Sequence, residues 1–463
     1  MFARDAVQYL SQWLGNKRRK PLILRGARQV GKSTLVRLFA EAANLSLHEI
    51  NLERHLFLDD IFKSLDMTII VRELEALAGV PINAPGSCLF LDEIQATPHA
   101  LQALRYFYEE YPELPVIAAG SLLEFILADH SFSMPVGRIE YFHLYPLTFR
   151  EFLSVTKPAL LPYLDTLLPS ADEIPHAAHQ QLLKKLRDYF FVGGLPEAVQ
   201  VFADNESLQE VAAVHRSIVS TYQDDFSKYT KQNDLFLIQK IFNYIPKSLG
   251  KKVKYTNISR DNRAAQVKKS ISLLVKARIC HQVKHSHCTA LPLAAESSDS
   301  VHKMIFMDIG LVNHICGCDW RTMAAFDDRQ LVNEGGIAEQ FVGQHLIDIS
   351  GGLDQPSLHY WLREKKSSNA EVDYVIGLAG LVLPVEVKSG TSGSLKSLQQ
   401  FVYNKDINLA IRFDLNPLSM QQVENTIRTA LGNQKIRYTL LSLPLYGVQE
   451  LERIVHENLS PTQ

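Results

Sequence analysis

The stretch from Leu22 to Thr34, Leu-Ile-Leu-Arg-Gly-Ala-Arg-Gln-Val-Gly-Lys-Ser-Thr, constrains the fold more than any other part of the chain. Its apolar start reads as a short buried strand that stops at Gly26. The loop Gly26-x-x-x-x-Gly31-Lys32-Ser33 follows, and Thr34-Leu35-Val36-Arg37-Leu38-Phe39-Ala40 continues with helical periodicity. Strand, Gly-containing loop and helix in this order are the context that a phosphate-binding loop requires. The two glycines let the backbone turn its N–H groups toward phosphate oxygens, and the helix N-terminus adds its positive dipole end. Such a loop takes ATP and Mg²⁺: Lys32 reaches the β- and γ-phosphates, Ser33 holds the metal, and Thr34 is the next side chain on the helix.

A second motif gives the loop a partner. Cys88-Leu89-Phe90-Leu91 is a buried strand that runs straight into Asp92 and Glu93. At a strand end about 60 residues after a P-loop, Asp92 would ligate Mg²⁺ through water, and Glu93 would orient and activate the attacking water. Pro115-Val116-Ile117-Ala118-Ala119-Gly120-Ser121 reads as another buried strand. Arg138 sits where a loop enters the strand Ile139–Leu144, a place from which an arginine can reach a neighbouring subunit's site.

Gly-Ala-Arg-Gln-Val-Gly-Lys-Ser, Leu-Asp-Glu, Ala-Gly-Ser and Gly-Arg, followed by Leu144-Tyr145-Pro146-Leu147-Thr148-Phe149, resemble a widespread bacterial and archaeal AAA-type ATPase family. That family is related to origin-recognition-like initiators and signalling ATPases, and it carries a C-terminal domain of long-unknown function. The resemblance implies a γ-phosphate sensor at Ser121. It also implies that Phe191-Val192-Gly193-Gly194-Leu195-Pro196 is a turn in a helical lid, with Pro196 packed on the adenine. Asp308-Ile309-Gly310-Leu311 matches a further signature of the family and reads as a strand turning into a helix.

With 463 residues the chain has room for roughly three domains of ~150 residues. No stretch approaches the ~20 apolar residues of a membrane helix, and five scattered cysteines make no disulfide framework, so a cytoplasmic protein is expected. The spacings of His281, His285, His287 and Cys288, and of Cys316 and Cys318, match no zinc pattern. Net charge is −2, but it is unevenly spread. From Lys247 to Lys284 eleven Lys or Arg face one Asp, a local +10 and the footprint of phosphate-backbone binding. Within it, Tyr255–Ile258 opens a short helix. A second helix from Ala264 repeats apolar residues at Val267, Ile271 and Leu274, and a strand follows from Ala277 to Val283. That is the order of a winged helix-turn-helix, with Lys254, Arg263, Lys268 and Lys269 as the candidate DNA contacts.

The last third holds another constellation. Glu371-Val372-Asp373-Tyr374-Val375 alternates as a half-buried strand, and Val385-Glu386-Val387-Lys388 lies in the next. Asp373, then Glu386-x-Lys388, resembles the PD-(D/E)xK nuclease core, with Glu339 as an additional helical acid. In that fold two acids hold Mg²⁺ on a scissile phosphate and the lysine orients water.

The expected fold is therefore an α/β AAA+ P-loop core (1–150), a helical lid (151–240), a basic winged helix-turn-helix (241–325) and a restriction-endonuclease-like α/β domain (326–463). The expected activity is ATP hydrolysis with Mg²⁺, coupled to duplex or branched DNA. Self-assembly through Arg138 acting in trans belongs to the same reading, and no membrane is involved. An ATP-regulated endonuclease and a signalling or defence switch that does not act on DNA are the alternatives.

Overall fold

The computed structural model describes residues 2–120, 137–169, 173–229, 232–318, 320–321, 335–349, 352, 357–363, 370–429 and 432–459. Ser121 therefore lies outside the described residues.

Five strands, β1 (Leu22–Arg25), β2 (Ser46–Asn51), β3 (Ser87–Asp92), β4 (Val116–Ala119) and β5 (Glu140–His143), form one parallel sheet in the order β2-β3-β4-β1-β5. Their side chains alternate between two cores. Leu22, Leu24, Phe90 and Ile117 join the helix Lys32–Ala42 on one face. Ile23, Leu89, Leu91 and Ala118 meet Leu101, Leu104 and Phe107 of the helix Pro98–Glu110 on the other. A parallel sheet covered on both faces reads as continuous apolar runs, which is why β3 and β4 are buried along their whole length.

A helical region follows β5. Thr148 starts the helix Phe149–Thr156 with a capping box: its hydroxyl accepts from Glu151 N at 3.2 Å and its own N–H donates to the Glu151 carboxylate at 2.9 Å. The helices His176–Val192, Pro196–Asn205, Leu208–Tyr229 and Gln232–Tyr244 continue the same core around Tyr189, Phe190, Tyr222 and Phe242.

The remaining strands, β6 (Cys280–Ser286), β7 (Ser297–Phe306), β8 (Leu358–Arg363), β9 (Ala370–Leu378), β10 (Leu381–Val387), β11 (Leu409–Asp414), β12 (Ser419–Thr429) and β13 (Gly432–Pro444), make one mixed sheet, ordered β12-β13-β11-β10-β9-β8-β6-β7. The helix Gly335–Ile349 lies over Tyr360, Tyr374 and Val385. The helix Lys396–Lys405 lies over Trp361, Val372 and Ala410. The boundary expected between 325 and 326 does not interrupt this sheet. β6 pairs in parallel with β8, so the hairpin β6–β7 extends the C-terminal sheet. A two-stranded hairpin is marginal alone, and pairing its inner edge removes exposed backbone donors and acceptors. Among the described residues no helix is long and apolar enough to cross a membrane.

Candidate functional site

In a parallel sheet every strand ends at the same edge, and ligands sit in the crevice beyond those carboxyl ends. The loop after β1, Asp92 at the end of β3 and the residue that follows β4, Gly120, all emerge there. Gly26 has φ +153°, and a Cβ on it would stand 2.3 Å from Leu144 O. Gly31, at φ +91°, caps the helix Lys32–Ala42 in the left-handed region. Lys32 is buried and its ammonium donates to Gly26 O at 3.1 Å and Ala27 O at 2.9 Å, filling the hollow of its own loop. Burial pulls this amine down to about 8, although Glu93 and Asp92 hold it up. Phosphate oxygens are better acceptors for it than carbonyls, so the side chain is poised to exchange partners.

Ser33 Oγ donates to Asp92 Oδ2 at 2.9 Å. A hydroxyl and a carboxylate converging beside a phosphate loop are the hard oxygen donors Mg²⁺ takes, so these residues fit the ion. Burial raises the Asp92 carboxyl, and the Ser33 hydrogen bond opposes that. Glu93 adopts a left-handed conformation, φ +53°. Its carboxylate accepts from the Gln95 side-chain amide. The Gln95 carbonyl oxygen lies against Gly120, where a Cβ would be 2.4 Å away. Gln95 thus joins the acid after β3 to the end of β4. Sequence reasoning passed over it, although its place two residues after Leu-Asp-Glu was visible.

Three further contacts hold the loop. Arg4 donates to Val30 O at 3.2 Å and Tyr145 O at 2.8 Å, and pairs with Glu151 at 3.0 Å. Arg28 pairs with buried Asp225 of the helix Leu208–Tyr229, whose Tyr222 hydroxyl donates to Arg28 O at 2.7 Å. The Pro196 ring would meet a Cβ on Gly31 at 3.3 Å, so Pro196 borders the loop from the helical side. The turn that carries Pro196 is itself clamped. Gly194 N donates to Asp308 Oδ2 at 2.7 Å, Leu147 N donates to Gly194 O at 2.6 Å, and Gly193 turns at φ +71° against the Asp308 carboxylate. Asp308 also caps the helix Ile309–Ile315 through Leu311 N at 3.1 Å. One buried carboxylate therefore links β7 to the turn beside the phosphate loop.

Arg138 stands elsewhere. It precedes β5, whose Glu140 is in register with Leu22, so it lies at the opening edge of the sheet. The phosphate loop leaves the opposite edge, roughly 13 Å away along a four-residue strand. Arg138 pairs with Glu109 at 3.0 Å and lies 5.7 Å from the Tyr108 ring. It cannot serve its own chain's loop; any action on a phosphate is on a second copy. In that case Arg138→Ala leaves ATP affinity unchanged and lowers hydrolysis by ~10³ only at concentrations where chains associate. A parent ATPase whose specific activity does not change with concentration would refute the trans role.

These features define a P-loop nucleotide-binding domain. Residues 18–153 match the family described as AAA domain. The chain thus carries an AAA-type P-loop ATPase domain, set in a mixed α/β fold with a parallel sheet. Residues 183–322 and 334–434 match two families, each described as a domain of unknown function. An uncharacterized protein of Methanocaldococcus jannaschii is 24% identical over 204 residues, 41% of this chain and 41% of that protein. The chain thus matches under half the length of this relative. Among solved structures, PCH-2 of C. elegans is 10% identical, covering 43% of this chain and 60% of its own, with a TM-score of 0.27. A signal-transduction ATPase with a tetratricopeptide repeat sensor from Pyrococcus horikoshii is 12% identical over 74% of this chain and 45% of its own, TM-score 0.28. The Aeropyrum pernix ORC1 protein, solved in complex with DNA, is 12% identical over 68% of this chain and 92% of its own, TM-score 0.27.

The second constellation comes together on the C-terminal sheet. Asp373 Oδ2 accepts from Val387 N at 2.8 Å, Lys388 donates to Glu386 Oε1 at 2.6 Å, and the Tyr374 hydroxyl donates to Glu339 O at 2.8 Å. Burial first, then the neighbouring Asp373, raises Glu339 to about 7 and Glu386 to about 8. A fifth residue, Lys303 of β7, lies among them. It is 3.5 Å from Glu339 and paired with Glu371. Among the described residues no group of three or more His, Cys, Asp or Glu side chains is arranged to hold a metal ion.

The basic segment is largely a surface. Lys254, Arg263, Lys268 and Lys269 are exposed, while Val267, Ser270, Ile271 and Leu274 bury the other side of the helix Ala264–Lys276. Arg278 is the exception: it is buried and lies 3.2 Å from His143 of β5, so it faces the P-loop domain and not solvent. His302 and Lys303 are consecutive in β7 and direct their side chains to opposite faces. Lys268 and Lys284 act on His302, whereas Glu339 and Glu371 hold Lys303. The basic helix and the acidic cluster thus lie on different faces.

Proposed function

We propose that this chain is an AAA+ ATPase that binds and hydrolyses ATP with Mg²⁺ and engages duplex or branched DNA. The observation that carries the first half is the pairing of Ser33 with Asp92 at 2.9 Å beside a buried lysine in a Gly-x-x-x-x-Gly-Lys-Ser loop. Gly26, Gly31, Lys32, Ser33 and Thr34 cradle the phosphates, Ser33 and Asp92 hold the ion, and Pro196 borders the base. When bound there, Mg²⁺ would supply positive charge to offset the charge that develops on the phosphates. Glu93, oriented by Gln95, holds the attacking water in line. Ser121 is the γ-phosphate sensor, and Arg138 is a finger offered to a second copy.

The exposed cations on and before the helix Ala264–Lys276 support the DNA half. In this reading Tyr255–Val283 is a winged helix-turn-helix that contacts the phosphate backbone through Lys254, Arg263, Lys268 and Lys269. The sheet around Glu339, Asp373, Glu386 and Lys388 is a nuclease-like platform that binds without cutting. The test measures ATPase activity with and without single-stranded, duplex and four-way-junction DNA, and DNA affinity across a salt series. Changing Lys268 and Lys269 to Glu should weaken binding on all sequences and flatten the salt dependence by roughly one unit of slope per lost phosphate contact. An unchanged slope, or DNA that never alters ATP turnover, would refute the DNA half and leave the ATPase.

A further inference from the structure

Lys303 enters the acidic cluster from β7 with only 3% of its surface exposed. Its ammonium has Glu371 as an ion-pair partner and the Glu339 carboxylate at 3.5 Å, and it lies 5.0 Å from the Tyr360 ring centre. Asp373 adds a third acid to the field it feels. The surroundings hold it there. An isolated β-bridge joins Lys303 to Lys252, Val253 N donates to His302 O at 2.9 Å, and a Cβ on Gly250 would stand 3.1 Å from both Glu339 carboxylate oxygens. Backbone on the N-terminal side of the basic segment thus walls the lysine in. Across the cluster Lys388 takes one Glu386 oxygen, while the other, Oε2, is buried without a partner. Four acids and two lysines thus form one cluster, in which Lys303 and Glu386 are buried and Glu339, Glu371, Asp373 and Lys388 are partly exposed.

A dication held at Asp373 would sit beside Lys303, whose charge already acts on that carboxylate and which contacts the neighbouring Glu339 and Glu371, and two like charges brought together there repel. We propose that Lys303 is a built-in cation that takes the position a divalent metal would need, so that the cluster is metal-free in the working protein. The nuclease-like geometry is then kept as an internally neutralised scaffold, and cleavage chemistry at Asp373 and Glu386 is closed off by a residue of the chain itself. This goes beyond the proposed ATPase and does not depend on DNA binding by the basic helix, whose salt series is read separately.

Manganese titration of the full chain, followed by electron paramagnetic resonance without nucleotide, tests it. The parent should show no Mn²⁺ site that Glu386→Gln removes. Lys303→Met should gain one site, binding roughly tenfold or more tighter than anything the parent shows. Adding Glu386→Gln to that variant should abolish the site, and Lys303→Arg, which keeps the charge, should match the parent. Mn²⁺ bound by the parent and lost on Glu386→Gln would overturn the proposal, as would a folded Lys303→Met that gains nothing. If Lys303→Met does not fold, the parent and Glu386→Gln decide alone: a Glu386-dependent site overturns the proposal, and its absence supports it.

Discussion

Glu93→Gln should hold ATP as tightly as the parent and turn it over ~10²–10³ more slowly, the loss typical of removing one group aimed at the reacting centre. The change keeps the size of the side chain and one acceptor oxygen for Gln95, so the loop and its Ser33–Asp92 pair stay as they are. What disappears is the negative charge that orients and polarises the water. Lys32→Ala should fail earlier, at binding, because its buried ammonium is the charge that answers the β- and γ-phosphates. Equilibrium binding of a fluorescent ATP analogue, run beside phosphate release, separates the two. Parent-rate turnover by Glu93→Gln would show that another group positions the water, and unweakened binding by Lys32→Ala would remove the loop from the site.

The second large effect is at Asp308. Removing its carboxylate in Asp308→Ala leaves the buried N–H groups of Gly194 and Leu311 without an acceptor, at ~1–3 kcal/mol each. It also frees the turn that holds Pro196 beside Gly31, so ATP affinity should fall together with stability. The pH dependence has a definite sign. Burial raises this carboxyl from 3.8 to about 6, against the lowering effect of the N–H groups of Gly194, Leu311 and Gly310. Between those values the folded chain keeps a proton that the unfolded chain has released. The contribution of Asp308 to stability therefore falls as pH rises from about 4 to about 6, and is level above. Urea unfolding at several pH values should show that descent in the parent and a flatter course in Asp308→Asn. Parallel courses would mean that the group is not responsible.

Much of the nucleotide site is local in the chain, and that is why it is legible there. Strand, loop and helix from Leu22 to Ala40 are contiguous, so apolar runs and two glycines state both the shape and its chemistry. Asp92 and Glu93 end a run buried on both faces, which marks a central strand of a covered parallel sheet. Periodicity says which face is buried, but it does not say which edge pairs with which. The placing of β4 between β1 and β3 is therefore a tertiary outcome, and so is the joining of the β6–β7 hairpin to β8 across the expected boundary. Arg278 counted as surface charge until the fold turned it onto His143. Asp308 meets Gly194 across 114 residues, and Lys303 meets Glu339 and Glu371 from strands and helices far along the chain. Contacts of that range leave no spacing pattern in a sequence. The residue types of the phosphate loop and the acidic strand ends were decided by the sequence alone. Which cation sits among the C-terminal acids was decided only when the sheet closed, because a buried charge takes the partner that the fold brings within reach.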